Sequence, residues 1–144
     1  MNDVPTLVTE ELVQYKYRLL WRIINSPNWV NVPDKNPRIK TYQCDGIDNF
    51  KGFKCVAEMD FSIPQIMCFL SKVERQVEFN VPMEFIWHFK KINNRRHFAH
   101  VGAKGVSFMV SAWDFICYSE IANYDPNPHE QTILTFSVEH PEAP

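Results

Sequence analysis

The side chains in this 144-residue sequence whose types could do chemistry are five histidines, four cysteines and a few spaced carboxylates. His88, His97, His100, His129 and His140 invite a metal or a general base. His97 and His100 stand three apart, which on a strand sends them to opposite faces, and no Asp or Glu lies beside them in sequence. They read as structural or solvent-exposed histidines. Cys44, Cys55, Cys68 and Cys117 form no C-x-x-C pair and no metal-finger spacing, so buried free thiols in a reducing cytosol are expected. No G-x-S-x-G elbow and no glycine-rich phosphate loop is present, which removes the usual signatures of a serine hydrolase or a nucleotide site. Asp114 and Glu120 fall six apart on one strand and share a face. A catalytic carboxylate pair is one reading of them; an Asp at a strand start that fixes a turn by accepting backbone N–H bonds is the favoured one. Neither metal nor cofactor is expected, and the chain reads as non-enzymatic.

The elements that must position these groups follow from periodicity and punctuation. Residues 9–26 predict a helix: Thr9 can cap it, Glu10 and Glu11 suit its positive end, and Pro27 stops it. Leu12, Tyr15, Leu19 and Ile23 share a face of that helix, with Val13, Tyr17, Leu20 and Ile24 beside it, which makes a wide packing stripe. Short strands follow at Trp29–Val32 and Arg38–Cys44, with Asp45-Gly46 as a turn. A third runs through Phe53, Cys55, Ala57 and Met59, whose alternation makes one apolar face. Asp60 or Ser62 caps a short helix with Pro64 in its first turn, and a second turn runs over Val73–Phe79. The remainder is strands: Met83–Ile92, a turn at Asn93-Asn94, Arg95–Ala103, Asp114–Asn123, a loop at Tyr124–Glu130, and Gln131–Glu139. One helix, three strands, two short helices and four strands in successive hairpins give an α+β class with antiparallel sheet.

Length and composition describe one ordinary folded domain over residues 1–144, at 45% hydrophobic and 22% charged. The longest charge-free apolar stretches, Phe61–Ser71 and Gly105–Trp113, reach about half of what a spanning helix needs. With no signal-peptide layout at the start, a cytoplasmic protein is expected. Net charge is −2, too low for nucleic-acid binding driven by an overall positive field. The charge is divided: every Lys and Arg lies at or before Lys104, leaving +4 on that side and −6 on residues 105–144. The exposed-looking cluster Lys90, Lys91, Arg95 and Arg96 straddles the Asn93-Asn94 tip. It is either a solvated hairpin end or a transient contact for anionic lipid headgroups.

Aromatic residues make up 14% of the chain, more than three helices need to cover one sheet face, which points to an apolar cavity or a partner surface. Phe85, Trp87 and Phe89 share a face, as do Phe115, Cys117, Ser119 and Ile121. They line a ligand wall or form core under the first helix, and alternation leaves open which face is concave. If Trp87 lines the cavity, Trp87→Asp abolishes uptake.

Four motifs then stand in order. Gly52-Phe53-Lys54-Cys55-Val56-Ala57-Glu58-Met59-Asp60, Val73-Glu74-Arg75-Gln76-Val77-Glu78-Phe79-Asn80, Val110-Ser111-Ala112-Trp113-Asp114-Phe115 and Ser137-Val138-Glu139-His140-Pro141-Glu142-Ala143-Pro144 together resemble the START lipid-transfer domain family. Its members read E-x-R-x-x-W-D, V-S-P-R-D-F and S-V-E-H-P-x-x-P at the last three places. The resemblance implies a helix-grip fold in which a curved antiparallel sheet wraps a C-terminal helix. It implies non-enzymatic binding and transfer of a hydrophobic lipid of the phospholipid, sphingolipid or sterol class. The tunnel wall it implies draws on Phe85, Trp87, Phe89, Val101, Trp113, Phe115, Cys117 and Ser119.

Three departures qualify it. The sequence stops at Pro144, where the family continues into further strands and the lid helix, so the domain is expected to be C-terminally truncated, with an unpaired sheet edge open to self-association. That opens a second reading, a protein-interaction module or a non-functional remnant. Ala112-Trp113 replaces the family's Pro-Arg. The positions matching the family's acid–base pair are Val101 (or His100) and Ser119, which cannot form a salt bridge and so count against the usual sterol mode.

Overall fold

Thr9, Glu10 and Glu11 open a helix and Arg22 closes it in the computed structural model, which describes residues 8–47, 50–70, 72, 75–79, 83–105, 112–122 and 130–143. This helix, α1, runs Glu10–Ile24, with acids at its positive end and a base at its negative end. Beyond it Asn25 closes back on the last turn, its backbone N–H and side-chain amide both donating to the Trp21 carbonyl at 3.1 and 3.0 Å. Two compact units make up the chain, Glu10–Asp60 and Phe61–Pro144, the latter taking in Met1–Thr9.

In the first unit β1 (Val30–Val32), β2 (Ile39–Ile47) and β3 (Phe50–Ala57) form an antiparallel sheet in the order β1-β2-β3. Lys54 ties α1 to it: its ammonium donates to the Ile24 carbonyl at 3.2 Å and sits over the Trp29 and Tyr42 rings at 4.9 and 4.8 Å. The Trp29 indole N–H donates to the Ile23 carbonyl at 2.8 Å. Two expectations change here. Asp45-Gly46 is no turn; the hairpin runs on to Ile47 and Phe50, with a register shift between Asp45 and Ile47, so the flexible glycine serves a bulge. The alternation of β3 is present, but its apolar face is open, with Phe53 69% exposed and Cys55 and Met59 exposed too.

The second unit opens with α2 (Ile63–Leu70) and α3 (Gln76–Phe79). Ser62 caps α2 through Gln65, whose side-chain oxygen accepts from the Ser62 backbone N–H and hydroxyl at 2.9 and 3.0 Å. Then β4 (Met83–Lys91), β5 (Arg96–Ala103), β6 (Trp113–Ala122) and β7 (Thr132–Ser137) pair as an antiparallel meander, β4-β5-β6-β7. The Asn93 side-chain oxygen shapes the β4–β5 tip, accepting from the backbone N–H groups of Arg95 and Arg96 at 2.8 and 2.9 Å. At Gly102 the ring of Phe85 lies where any Cβ would have to go, so β5 carries glycine opposite an aromatic on the edge strand. The element order and α+β class are those the periodicity implies. The Val73-Glu74 pair, Val110-Ser111, the loop residues 123–129 with His129, and Pro144 lie outside the described residues.

A polar-to-apolar cavity on one face of the four-stranded sheet

Register decides which side chains share a face. Ile86 pairs with Val101 and Val101 with Phe115. His88 pairs with Ala99 and Ala99 with Cys117. Lys91 pairs with His97, His97 with Ser119, and Ser119 with Thr135. These three rows run from an apolar end to a polar one, all on one side of the sheet. They line a cavity of about 280 Å³ whose wall also takes in Met83 and Leu70. Ala99, Val101 and Cys117 are its buried floor, with Met83, Ile86 and Phe115 packed against them. Towards the tip His88 and His97 stack at 4.3 Å with rings 21° apart. The Ser119 and Thr135 hydroxyls stand 3.0 Å apart, close enough to share one hydrogen.

Of the residues the sequence put forward as a cavity wall, Val101, Phe115, Cys117 and Ser119 line this space. Trp113 shares their face and stacks on Phe115 at 5.2 Å, beyond the cavity's end. Phe85, Trp87 and Phe89 are on the other side. Phe85 pairs with Gly102 and Trp87 with His100. The shift between His88 and Lys90 turns the Phe89 ring towards Phe98 and His140, at 6.2 and 5.2 Å. Trp87 is 55% exposed there. They do share a face, but the one opposite this cavity. Sequence reading passed over Ile86, His88, His97, Ala99, Ile133 and Thr135. Pairing would have found His97, because Ser119 stands directly across from it.

The four cations at the hairpin do not make one surface. Lys90 pairs with Glu142 at 3.0 Å and Arg96 with Glu120 at 2.9 Å on the face away from the cavity. Lys91 lines the cavity and Arg95 stands exposed at the tip. His97 and His100 do face opposite ways, the latter bonding Asp114 at 2.5 Å. Asp114 thus holds a histidine across the strands. Asp114 and Glu120 share the face away from the cavity, yet at six residues of strand rise they are about 20 Å apart, too far for a catalytic pair. Among the described residues no group of three or more His, Cys, Asp or Glu could hold a metal ion, and no helix is long and apolar enough to cross a membrane.

The floor is dry enough to act on a proton. Burial pushes the Cys117 thiol up to about 11, against a weaker opposing bond with the Ala99 backbone. An unfolded chain releases that proton in the ordinary thiol range, so the stability held at lower pH is lost as pH rises towards 11; melting temperature is expected to decline from about pH 9 upwards. Only two of the four thiols are buried, Cys44 and Cys117; Cys55 and Cys68 are exposed. At pH 8 a maleimide should label Cys55 and Cys68 promptly and the other two only on unfolding, read by peptide mass spectrometry. Labelling of Cys117 as fast as Cys55 would contradict a dry floor.

No family model and no curated protein matches the sequence. Solved structures do match the fold. Human StAR-related lipid transfer protein 5 superposes with a TM-score of 0.78 at 9% identity, over 93% of this chain and 64% of that one. Human STARD10 gives 0.71 at 12% identity, over 100% of this chain and 57% of that one. A STAR-related lipid transfer protein fragment from Xanthomonas axonopodis gives 0.66 at 12% identity, over 77% and 60%. The chain spans less than two thirds of these proteins, and at such identities the likeness is one of fold: a START-like, helix-grip arrangement.

Proposed function

We propose that this chain binds a hydrophobic lipid, without covalent chemistry, in the cavity on the β4–β7 sheet, and that its work is capture, shielding and release. The observation that carries the reading is the buried floor of Ala99, Val101 and Cys117 beneath a partly open space of about 280 Å³. Each CH₂ moved from water onto such a surface gains roughly 0.8 kcal/mol. Six to eight of them reach roughly 5–6 kcal/mol before the cost of immobilising the ligand. The fold supports the reading, since two of the superposed proteins carry lipid transfer in their names. Free thiols suit a reducing cytoplasm. The outer edge of β7 in this sheet is where self-association would occur.

Native mass spectrometry after mild purification tests it. The expected spectrum shows the chain plus a lipid mass that is lost on gentle activation. A clean unliganded mass at every dilution, together with no uptake from added lipid, would sink the reading. A concentration-dependent dimer without lipid would favour the interaction module.

A further inference from the structure

We propose that the cavity is built for a single-chain lipid with an oxyanion head, a carboxylate or a phosphate monoester, held by the row Lys91–His97–Ser119–Thr135. This rests on the reading of the cavity as a lipid site and narrows it. The row crosses all four strands on the cavity face, and each member lines the space. Its chemistry is one-sided. Lys91 offers an ammonium, and His97, stacked on His88, flanks it on the same row. Ser119 and Thr135 share one hydrogen between two hydroxyls, which leaves the second to donate. Asn93, which also lines the cavity, has its side-chain oxygen occupied by two backbone N–H groups, so its amide presents N–H to the space. Among the described lining residues there is no Asp or Glu. Donors without a carboxylate, next to a positive charge, select an acceptor carrying negative charge.

The geometry orients that ligand. Lys91, Asn93 and Asn94 are exposed at the hairpin tip, whereas Ala99 and Val101 are buried; the head therefore lies at the wet mouth and the chain along Ile86, Val101 and Phe115. At about 280 Å³ the space sits at the foot of the usual range of roughly 300–1,000 Å³ for ligand pockets, which suits one chain rather than two. The absence of Lys and Arg after Lys104 does not deprive the site of a cation, because Lys91 comes from β4.

Displacement of bound cis-parinaric acid from the purified chain, at low ionic strength and pH 6.5, would compare dodecanoic acid, dodecyl phosphate and dodecan-1-ol. Both acids are expected to bind roughly tenfold or more tightly than the alcohol. Lys91→Gln and Thr135→Val should each weaken the acids by about tenfold and leave the alcohol within about twofold. The better of the two acids identifies the head as carboxylate or phosphate. Equal affinity for acid and alcohol, or acids indifferent to both substitutions, overturns the head assignment while leaving the apolar cavity intact. Failure of all three to displace or bind overturns the cavity reading itself.

Discussion

Ala99→Phe should abolish lipid uptake, and Trp87→Asp should leave it unchanged. Ala99 is 2% exposed, stands across from His88 and Cys117, and forms the floor at the middle of the cavity. A phenyl ring on that Cβ projects toward the cavity it lines, the space of about 280 Å³. It would displace a ligand segment equivalent to several CH₂ groups. At roughly 0.8 kcal/mol each, losing four or five costs about 3–4 kcal/mol, some 100- to 1,000-fold in affinity. The ring enters existing space rather than a filled core, so the overpacking penalty of roughly 1–3 kcal/mol is an upper bound on lost stability. Ala99→Leu provides a milder step with a smaller loss of uptake. Trp87 is on the opposite face, half in water, and Asp there touches no part of the cavity. Titration with a fluorescent lipid, alongside a melting curve to establish folding, reads both. If folded Trp87→Asp loses uptake while Ala99→Phe keeps it, the lipid binds on the other side of the sheet.

That pair of substitutions also marks where sequence reading stops. Alternation placed Phe85, Trp87 and Phe89 together, and Phe115, Cys117 and Ser119 together, because strand side chains repeat with period two. It could not say which set faces the cavity, since both faces of β4 carry large apolar residues: Phe85, Trp87 and Phe89 on one, Ile86 on the other. The bulkier set invites assignment to the interior. The deciding fact is the cross-strand neighbour: Phe85 meets Gly102, a residue with room for a ring above it, whereas Ile86 meets Val101 over the buried floor. Pairing register is a tertiary property, invisible in a single strand.

The element order was more legible. Pro27, Asn93-Asn94 and the Ser62–Pro64 start punctuate the chain where the structure changes direction. Asp45-Gly46 misled because the same dipeptide serves a turn or a bulge, and only the length of the paired β2 and β3 separates the two. The apolar alternation of β3 signalled a covered face, yet Phe53 is open to solvent; alternation records what a face is suited to cover or be covered by, not whether this chain supplies the cover.

Arg96→Ala is expected to destabilise the fold by about 2–3 kcal/mol, although hairpin arginines beside a turn are usually dispensable. Its partner is the reason. Glu120 stands directly across from Arg96 on β6, with only 7% of its side chain exposed, and its two oxygens are divided between two donors. Arg96 holds one at 2.9 Å and the Tyr118 phenol donates to the other at 2.6 Å. Removing the guanidinium leaves a buried carboxylate with one neutral donor. Breaking a buried pair from one side typically costs roughly 3–5 kcal/mol. The lower figure applies because the Arg96 side chain is 35% exposed, so water replaces part of what it supplied. Tyr118→Phe, which removes the second donor but keeps the charge pair, should cost about 1.5–3 kcal/mol, because its acceptor is a buried carboxylate. The double substitution Arg96→Met with Glu120→Leu removes both charges at similar volume and should recover most of the loss. Thermal melts check the series, with Arg96→Ala lowering the midpoint by roughly 4–12 °C. Were Arg96 chiefly a headgroup contact, Arg96→Ala would melt with the parent chain and lose only its affinity for anionic vesicles. That outcome would return Arg96 to the membrane surface and leave Glu120 held by Tyr118.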